Sequence, residues 1–382
     1  MTDRPGAVVV GGHVNGLAIL RSLARRGVAT AVVTTMPYDI AHLSRWSEER
    51  VECPATGGCA GLLALLRDRR DRWRGRVVFP TTDPAVEVLS RHREELAESY
   101  RLFTPSWDAV RPLLHKDEFG RVAAAVGVAT PRVLGSVSKA LCADPDLELP
   151  ALVKPTRSQA FRDRFGVKLF AVETAEELER ALTLLRQAGL DGELVEWIPG
   201  PDSEMFDCHV YIDVRGRLVG HVEFRRLRNG PPFFGITRAA RTAAVPELLS
   251  ATLSLLSSLG YTGIANSQFK RDAGGHYRLL EINARSAHAT GLAVAAGVDL
   301  PWLAYRDLVA GDVAPVTADP RPRSWFHLHA DLLYWLLLRE LDGCRLGDVL
   351  RAPPGGRHEA VWSLADPRPF LGEWLLSARG AL

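Results

Sequence analysis

Residues 263–285 (GIANSQFKRDAGGHYRLLEINAR) place oxygen-bearing polar side chains on two runs that are otherwise typical of β-strands. A turn rich in glycine and charge (Lys270 to His276) separates the runs, which predicts an antiparallel hairpin. Gln268 lies on the first run, and Glu281 and Asn283 lie on one face of the second, because side chains alternate along a strand. Such a face can bind a hard cation that bridges nucleotide phosphates; a buried hydrogen-bonded trio explains the same residues equally well.

The composition predicts a soluble, cytoplasmic protein with several domains. A chain of 382 residues is long enough for two or three cores, and its apolar (47%) and charged (24%) contents are ordinary for a globular protein. A net charge of +2 gives no support to binding of nucleic acid or of an anionic membrane. We expect neither a signal peptide nor a membrane span, and the five scattered cysteines lack metal-ligand spacing.

Lysine is scarce, since the 47 basic residues include only Lys116, Lys139, Lys154, Lys168 and Lys270. Because nearly every other basic residue is an arginine, each lysine suggests that its ammonium contacts phosphate oxygens or occupies a tight pocket. For Lys139 and Lys270, which lie in predicted polar loops, chance survival is the favoured interpretation.

The first third of the chain alternates apolar runs with amphipathic stretches, which predicts a parallel α/β unit. Gly11, Gly12 and Gly16, between the first strand and the first helix, resemble a nucleotide-binding glycine turn. The second strand ends in two threonines instead of an acid that would hold a ribose, so tight packing is favoured over dinucleotide binding. The run 79–83 lies where open α/β sheets place ligands, beyond the end of a strand.

After residue 150, strands and helices come in clusters, which predicts an α+β unit with antiparallel sheets. The predicted strands are 151–155, 166–173, 193–200, 205–213 and 218–228. The predicted helices of this part are 175–188, 246–259, 290–296 and 301–309. A break rich in proline and arginine (315–323) precedes a last segment, 324–382, for which we predict one amphipathic helix and a polar loop.

Six motifs follow one another along the chain. They are a lysine that opens a helix (Lys116), Val-Lys-Pro on a strand (Lys154), a loop ending in Gly-x-Lys (Gly166, Lys168), a Val-Glu-x-x-x-Gly hinge (Glu196, Gly200), a second acid (Glu204) and a hairpin ending in Glu-x-Asn-x-Arg (Arg285). In this order they resemble the ATP-grasp superfamily of ADP-forming ligases, and within it the carboxylate–amine ligases that include D-aspartate ligase-like proteins. The resemblance covers almost the whole chain; its strength lies in the order, because each motif alone is weak.

The resemblance implies a multidomain protein of mixed α/β and α+β class, with an ATP-grasp fold preceded by a parallel α/β domain. The implied parts are a pre-ATP-grasp domain (1–115), a small lid subdomain (116–194), a large subdomain with the metal hairpin (195–317) and a C-terminal extension (318–382).

It also implies roles for single residues. Those that would contact the phosphates, adenine edge or ribose of ATP are Lys116, Lys154, Ser158, Lys168, Glu196, Trp197 and Glu204. The residues that would hold Mg²⁺ or Mn²⁺ are Gln268, Glu281 and Asn283. Arg285 and Lys154 would stabilise charge during the reaction, and His288 could contact substrate or deprotonate the amine. Arg226 and Arg228, which share one face of a predicted strand, are candidates for the acid substrate together with Arg285; a structural ion pair or a solvated edge strand is the alternative.

The chain departs from the family pattern in three places. Gln268 stands where most relatives carry Asp or Glu, which should weaken one metal site and leaves the number of ions open. The loop 156–168 has a single glycine, so Ser158 and arginines 157, 162 and 164 would share contact with the γ-phosphate. Ala284 replaces the usual proline.

The implied function is ATP-dependent, ADP-forming joining of a carboxylate to an amine through an acyl phosphate, in specialised biosynthesis. The expected partners are small-molecule substrates, with a homodimer and a carrier-bound acceptor also compatible with the sequence. Two alternatives stay open: an ATP-binding protein without ligase activity, suggested by Gln268, and a nicotinamide-dependent oxidoreductase built on the N-terminal glycine turn.

Overall fold

A computed structural model describes residues 4–54, 59–136, 149–156, 161, 164–167, 169–231, 235–311, 313–342, 346–350 and 355–378. Ser158 and Lys168 lie outside these residues, and the side chain of Lys116 is not described.

The first sheet is parallel throughout. Its strands, in the spatial order β3-β2-β1-β4, are β1 (Ala7–Val10), β2 (Thr30–Thr34), β3 (Ser47–Glu52) and β4 (Val77–Pro80). The helices of this part are α1 (Val14–Ala24), α2 (Cys59–Asp68), α3 (Asp83–Arg91), α4 (Arg93–Ala97) and α5 (Trp107–Leu114). Successive residues of β1 pack into different cores, Val9 on one face and Val8 on the other. This arrangement confirms the predicted parallel α/β unit, since such sheets are covered on both faces.

A four-stranded antiparallel sheet follows, which we call the lid sheet. Its order is β5-β8-β6-β7, with β5 (Val133–Ser136), β6 (Ala151–Pro155), β7 (Phe170–Val172) and β8 (Gly192–Glu196). The helix α6 (Lys116–Ala125) precedes it, and α7 (Ala175–Gln187) packs on it through Leu178, Leu182 and Leu185.

A seven-stranded sheet, the large sheet, contains the hairpin. Its order is β13-β12-β9-β10-β11-β14-β15, and every pair except β14–β15 is antiparallel. The strands are β9 (Met205–Ile212), β10 (Leu218–Gly230), β11 (Ile236–Ala243), β12 (Gly263–Arg271), β13 (Tyr277–Asn283), β14 (Arg323–Phe326) and β15 (Gly356–Glu359). The remaining helices are α8 (Pro246–Ser258), α9 (Thr290–Ala295), α10 (Leu300–Ala310), α11 (Leu328–Asp342), α12 (Leu346–Leu350) and α13 (Arg368–Ala378). Within the described residues, no helix combines the length and the apolar character needed to cross a membrane.

Two sequence predictions need correction. The hairpin turn is shorter than predicted, because β12 continues through Lys270, which pairs with Arg278 and with Met205. From residue 323 onward, the part of the chain that the structure describes contains two strands and three helices instead of one helix and a polar loop. Its two strands are four residues long; β14 pairs with β11, and β15 pairs with β14. Such strands are stabilised by distant pairing, and the local periodicity of the sequence does not reveal them.

One hydrophobic core joins the first sheet to the large sheet. It contains Leu17 and Leu20 of α1, Leu292 of α9 and Phe224 of β10. The division of the chain into four parts stays a proposal. The strands β14 and β15 lie beyond residue 317 and belong to the large sheet, so the C-terminal part is hydrogen-bonded to that sheet.

Candidate active site

A cleft of about 520 Å³ lies between the lid sheet and the large sheet. The lid sheet contributes alternate residues of its two central strands: Leu152, Lys154, Glu193 and Val195. The large sheet contributes alternate residues of β9 and β12, together with the consecutive residues 279–283 of β13. The residues of β9 and β12 are Met205, Asp207, His209, Asn266, Gln268 and Lys270. Because alternate residues of a strand share a face, one polar face of the large sheet forms the floor of the cleft.

The predicted metal ligands lie together on that floor. Gln268 is the cross-strand partner of Glu281, and Asn283 donates a hydrogen bond from Nδ2 to Glu281 Oε1 at 3.2 Å. Glu281 is exposed, and Gln268 and Asn283 are half-buried. A buried hydrogen-bonded trio does not fit this exposure. One carboxylate and two amide groups facing a cleft do fit a hard cation such as Mg²⁺ or Mn²⁺, so their role as ligands stays a prediction with the right donor set.

Lys154 faces these ligands from β6 of the lid sheet. Burial lowers the pKa of its ammonium, while the carboxylates of Glu281 and Glu193 act in the opposite direction. No hydrogen bond or ion pair joins Lys154 to another described side chain. An ammonium in this position can interact with an anionic ligand that enters the cleft.

Arg285 connects the end of the hairpin to the first sheet. Its Nε donates to Asp83 Oδ1 at 2.7 Å, and its Nη2 donates to Asn283 Oδ1 at 2.9 Å. Burial would lower the pKa of Arg285, but the charge and hydrogen bond of Asp83 outweigh burial and raise it. Asp83 begins α3 immediately beyond β4, within the run 79–83 that sequence reasoning placed at a ligand-binding edge.

Arg226 and Arg228 each have a carboxylate partner. Arg226 is buried on the cleft floor and bonds Asp207 through Nε at 2.6 Å and Nη2 at 2.7 Å. Arg228 bonds Asp331 of α11 through Nε at 3.1 Å and Nη2 at 2.5 Å. A β-bulge falls between the two arginines, which pair with consecutive residues of β11, so the expected common face is interrupted. Substrate binding by either arginine stays a prediction.

Two of the three hinge residues that were predicted to contact ATP line the cleft. Glu196 and Trp197 line the cleft, and Glu196 Oε2 accepts a hydrogen bond from the backbone N–H of Arg132 at 3.0 Å. Glu204 accepts hydrogen bonds from Arg271 at 2.5 Å and Arg225 at 3.1 Å, and the bond from Arg271 lowers the pKa of its carboxyl. The described lining of the cleft does not include Glu204. Its predicted contact with ribose is untested.

His288 lines the cleft directly beyond the hairpin. Its Nε2 lies 3.3 Å from Nδ1 of His327, and its ring centroid lies 5.1 Å from that of His13. Burial and the two neighbouring imidazoles lower the pKa of His288 well below its ordinary value, so the ring is neutral at pH 7. A pKa so far below neutral makes His288 a weak base in this arrangement, and its predicted role as a proton acceptor is untested.

Sequence reasoning missed several residues of the cleft floor. Asp207 and His209 are buried on β9, Asn266 on β12, and Lys270 donates from Nζ to the carbonyl oxygens of Gly200 and Pro201 at 2.7 Å. Asn266 Oδ1 and His209 Nε2 are buried without a hydrogen-bond partner among the described residues, so the cleft floor contains two unsatisfied polar atoms. The signal was the polar alternation in MFDCHV (205–210), which is unusual for a strand whose residues are all buried.

Comparisons with known proteins agree on the fold. Residues 213–325 match a family model described as ATP-grasp in the biosynthetic pathway with Ter operon. No curated protein sequence matches the chain.

Three solved structures illustrate the likeness. L-amino acid ligase from Bacillus licheniformis has a TM-score of 0.62 and 16% identity, over 84% of this chain and 79% of that one. N5-carboxyaminoimidazole synthetase from Staphylococcus aureus has a TM-score of 0.64 and 14% identity, over 88% and 87%. The biotin carboxylase domain of Hydrogenobacter thermophilus 2-oxoglutarate carboxylase, solved with MgADP, ADP and bicarbonate, has a TM-score of 0.62 and 17% identity, over 82% and 71%. Such low identities bear on the fold alone.

Proposed function

Because this chain has the ATP-grasp fold, as the order of its motifs predicts, we propose that it is an ATP-dependent, ADP-forming ligase that joins a carboxylate to an amine. The observation that carries the proposal is one cleft in which Lys154 on the lid sheet faces Gln268, Glu281 and Asn283 on the large sheet. Structures of similar fold include an amino acid ligase and a domain solved with MgADP and bicarbonate.

The two walls of the cleft suit the two ends of ATP. Glu196 and Trp197 at the hinge would bind the adenine end, and Lys154 would bind the phosphates beside the hairpin. A bound Mg²⁺ would bridge phosphate oxygens and neutralise their charge. Together these cations would reduce the repulsion between the triphosphate and an incoming carboxylate.

The proposed reaction has two steps. A carboxylate oxygen bonds to the γ-phosphorus of ATP as the bond to the bridging β,γ-oxygen breaks, which releases ADP and leaves an acyl phosphate. The amine nitrogen then bonds to the acyl carbon, the carbon–oxygen bond to phosphate breaks, and the nitrogen loses a proton. Arg285, held by Asp83, would face the negative charge that develops, and His288, which lines the same cleft, would accept the proton.

Tight packing is sufficient to explain the glycine turn. Gly11 has a φ of +93°, and a Cβ on Gly16 would lie 2.2 Å from the carbonyl oxygen of Gly11. Helix and strand therefore pack too closely for any larger residue at position 16. This packing accounts for the glycines without a nicotinamide cofactor.

The test is phosphate release across a panel of carboxylates, bicarbonate included, combined with amino acids and other amines. We expect phosphate and ADP only when ATP, an acid and an amine are all present, with a matching amide in the mass spectrum. Glu281→Ala and Lys154→Ala should each lower turnover at least about 100-fold with an unchanged circular dichroism spectrum. Glu179→Ala, on the exposed face of α7, is the matched control and should retain full turnover.

Each alternative predicts a different result. Normal turnover in folded Glu281→Ala would refute the metal assignment. Tight ATP binding without phosphate release for any acid–amine pair would favour an ATP-binding protein, and nicotinamide turnover in the absence of ATP would favour an oxidoreductase. Gel filtration with light scattering, and acceptors offered free or carrier-bound, test the remaining expectations about partners.

A further inference from the structure

Three potential metal ligands from separate elements converge behind the cleft. His327 follows β14, His329 lies in the first turn of α11, and Glu373 lies in α13. His327 Nε2 is 2.7 Å and His329 Nδ1 is 3.6 Å from Glu373 Oε1, and all three side chains are 3% exposed or less. We call these three residues the His-His-Glu cluster.

The outer nitrogen of each ring is fixed by a further contact. His327 Nδ1 lies 3.3 Å from His288 Nε2, and His329 Nε2 lies 2.6 Å from the hydroxyl of Ser377. Both imidazoles therefore turn their other nitrogen toward Glu373. Outer hydrogen bonds of this kind orient histidines that bind metal ions and set their tautomers.

Glu373 also has an unsatisfied oxygen. Its Oε2 is buried and has no hydrogen-bond partner among the described residues. Burying a charged oxygen without a partner is costly, whereas coordination of a cation would satisfy it.

We propose that the His-His-Glu cluster binds one divalent transition-metal ion, with zinc as the ion whose preferred donors match. Two imidazole nitrogens and one carboxylate are a frequent ligand set for zinc and occupy three of its four positions. Donors that are each about 2.1 Å from a tetrahedral ion lie roughly 3.4 Å apart. The observed spacings of 2.7 and 3.6 Å bracket this value, and His327 and Glu373 would need to separate by about 0.7 Å.

The position of the cluster indicates a structural role. A metal ion would join α13 to the junction of β14 and α11, which lies behind the wall that carries His288. The ion would thus fix the C-terminal helix against the large sheet. The inference is independent of the proposed ligase activity, because it concerns metal content and stability.

The experiment measures zinc in the full chain. Untagged protein is stripped with a chelator, reloaded with zinc, dialysed, and assayed by elemental analysis and by competition with a chromogenic chelator. We expect one zinc per chain, a higher melting temperature with zinc, and at least about 100-fold weaker binding in His329→Gln and in Glu373→Gln.

The matched control is His221→Gln, which removes a histidine that also contacts a carboxylate (Glu223, 2.9 Å) but has no third ligand beside it in the described structure. It should retain zinc. Wild-type protein that keeps no zinc, or folded variants that keep as much as wild type, would overturn the proposal. If both variants fail to fold, the visible spectrum of Co²⁺-loaded wild type decides: low-coordinate bands without thiolate charge transfer support the site, and their absence refutes it.

Discussion

The buried ion pair between Asp207 and Arg226 offers the sharpest test of how the cleft floor is held. Asp207 accepts two hydrogen bonds from Arg226, at 2.6 and 2.7 Å, and a third from Asn266 at 3.3 Å. The two side chains are 6% and 4% exposed. Asp207→Asn leaves a guanidinium buried without its counter-charge, and Arg226→Met leaves a carboxylate with one neutral donor. We expect each change to lower the free energy of unfolding by about 3–5 kcal/mol.

The double variant Asp207→Asn/Arg226→Met separates the pair from its surroundings. Because each single change already removes the attraction, we expect the double variant to lose less than the sum of the two, by about 2 kcal/mol or more. Urea unfolding followed by circular dichroism and tryptophan fluorescence measures these differences. The control is Arg67→Met, which removes a surface pair with Glu95 at 2.6 Å whose side chains are about half exposed, and should cost less than about 1 kcal/mol.

The pH dependence of stability provides a second test of the same ion pair. Burial would raise the pKa of Asp207, but the charge and hydrogen bonds of Arg226 outweigh burial and lower it. Since the folded pKa lies below the unfolded value, the pair stabilises the protein fully at neutral pH and loses its contribution as the pH falls below about 4. The losses of unfolding free energy in the two single variants could instead prove additive, or Arg226→Met could have normal stability and only raise the KM for the acid. Either result would show that Arg226 serves the substrate instead.

Three further predictions follow from particular contacts. Gly16→Ala should destabilise the first sheet by about 1–3 kcal/mol, because its Cβ would meet the Gly11 carbonyl, whereas Gly120→Ala has open space and should not; thermal unfolding compares them. Burial lowers the pKa of His209 to about 4, so the free energy of unfolding should fall as the pH drops from about 6.5 toward 4, by roughly 2 kcal/mol at pH 5. Urea unfolding at pH 7 and at pH 5 measures this loss, which should be smaller in His209→Gln; equal losses in the two proteins would contradict the prediction. Asp83→Asn removes the negative charge that lies 2.7 Å from Arg285 Nε and should lower kcat by about 10-fold or more with little change in ATP affinity. Glu87→Gln on the same helix should not, and an unchanged kcat would separate Asp83 from the chemistry.

Sequence reasoning was most successful where a feature is local. The hairpin and the strand that carries Lys154 are short stretches whose alternation and turn residues specify them, and β6 has the predicted bounds, 151–155. The charged strand β3, SEERVE, was not predicted because it lies at the edge of the first sheet, where none of its residues is fully buried.

Features that depend on distant partners were not predictable in the same way. The scarcity of lysine pointed to Lys154, but nothing local to Lys270 shows that its ammonium lies against the carbonyls of Gly200 and Pro201. The His-His-Glu cluster joins His327 to Glu373 across 46 residues. Its two histidines, alternate in sequence, were unremarkable until the fold brought a carboxylate between them.

The stretch that directly follows the hairpin links three parts of the fold. Arg285 binds Asp83 of α3, and Asn15 of α1 donates a hydrogen bond to the carbonyl oxygen of Ser286 at 3.2 Å. Three residues beyond Arg285, His288 contacts His327 of the C-terminal segment. Asn283 is the last residue of β13. The predicted metal ligands of this strand are therefore held by strand pairing on the side that precedes Asn283, and by these contacts on the side that follows it. A change in the first sheet or in α13 can therefore reach the cleft through a few consecutive residues, without altering the large sheet itself.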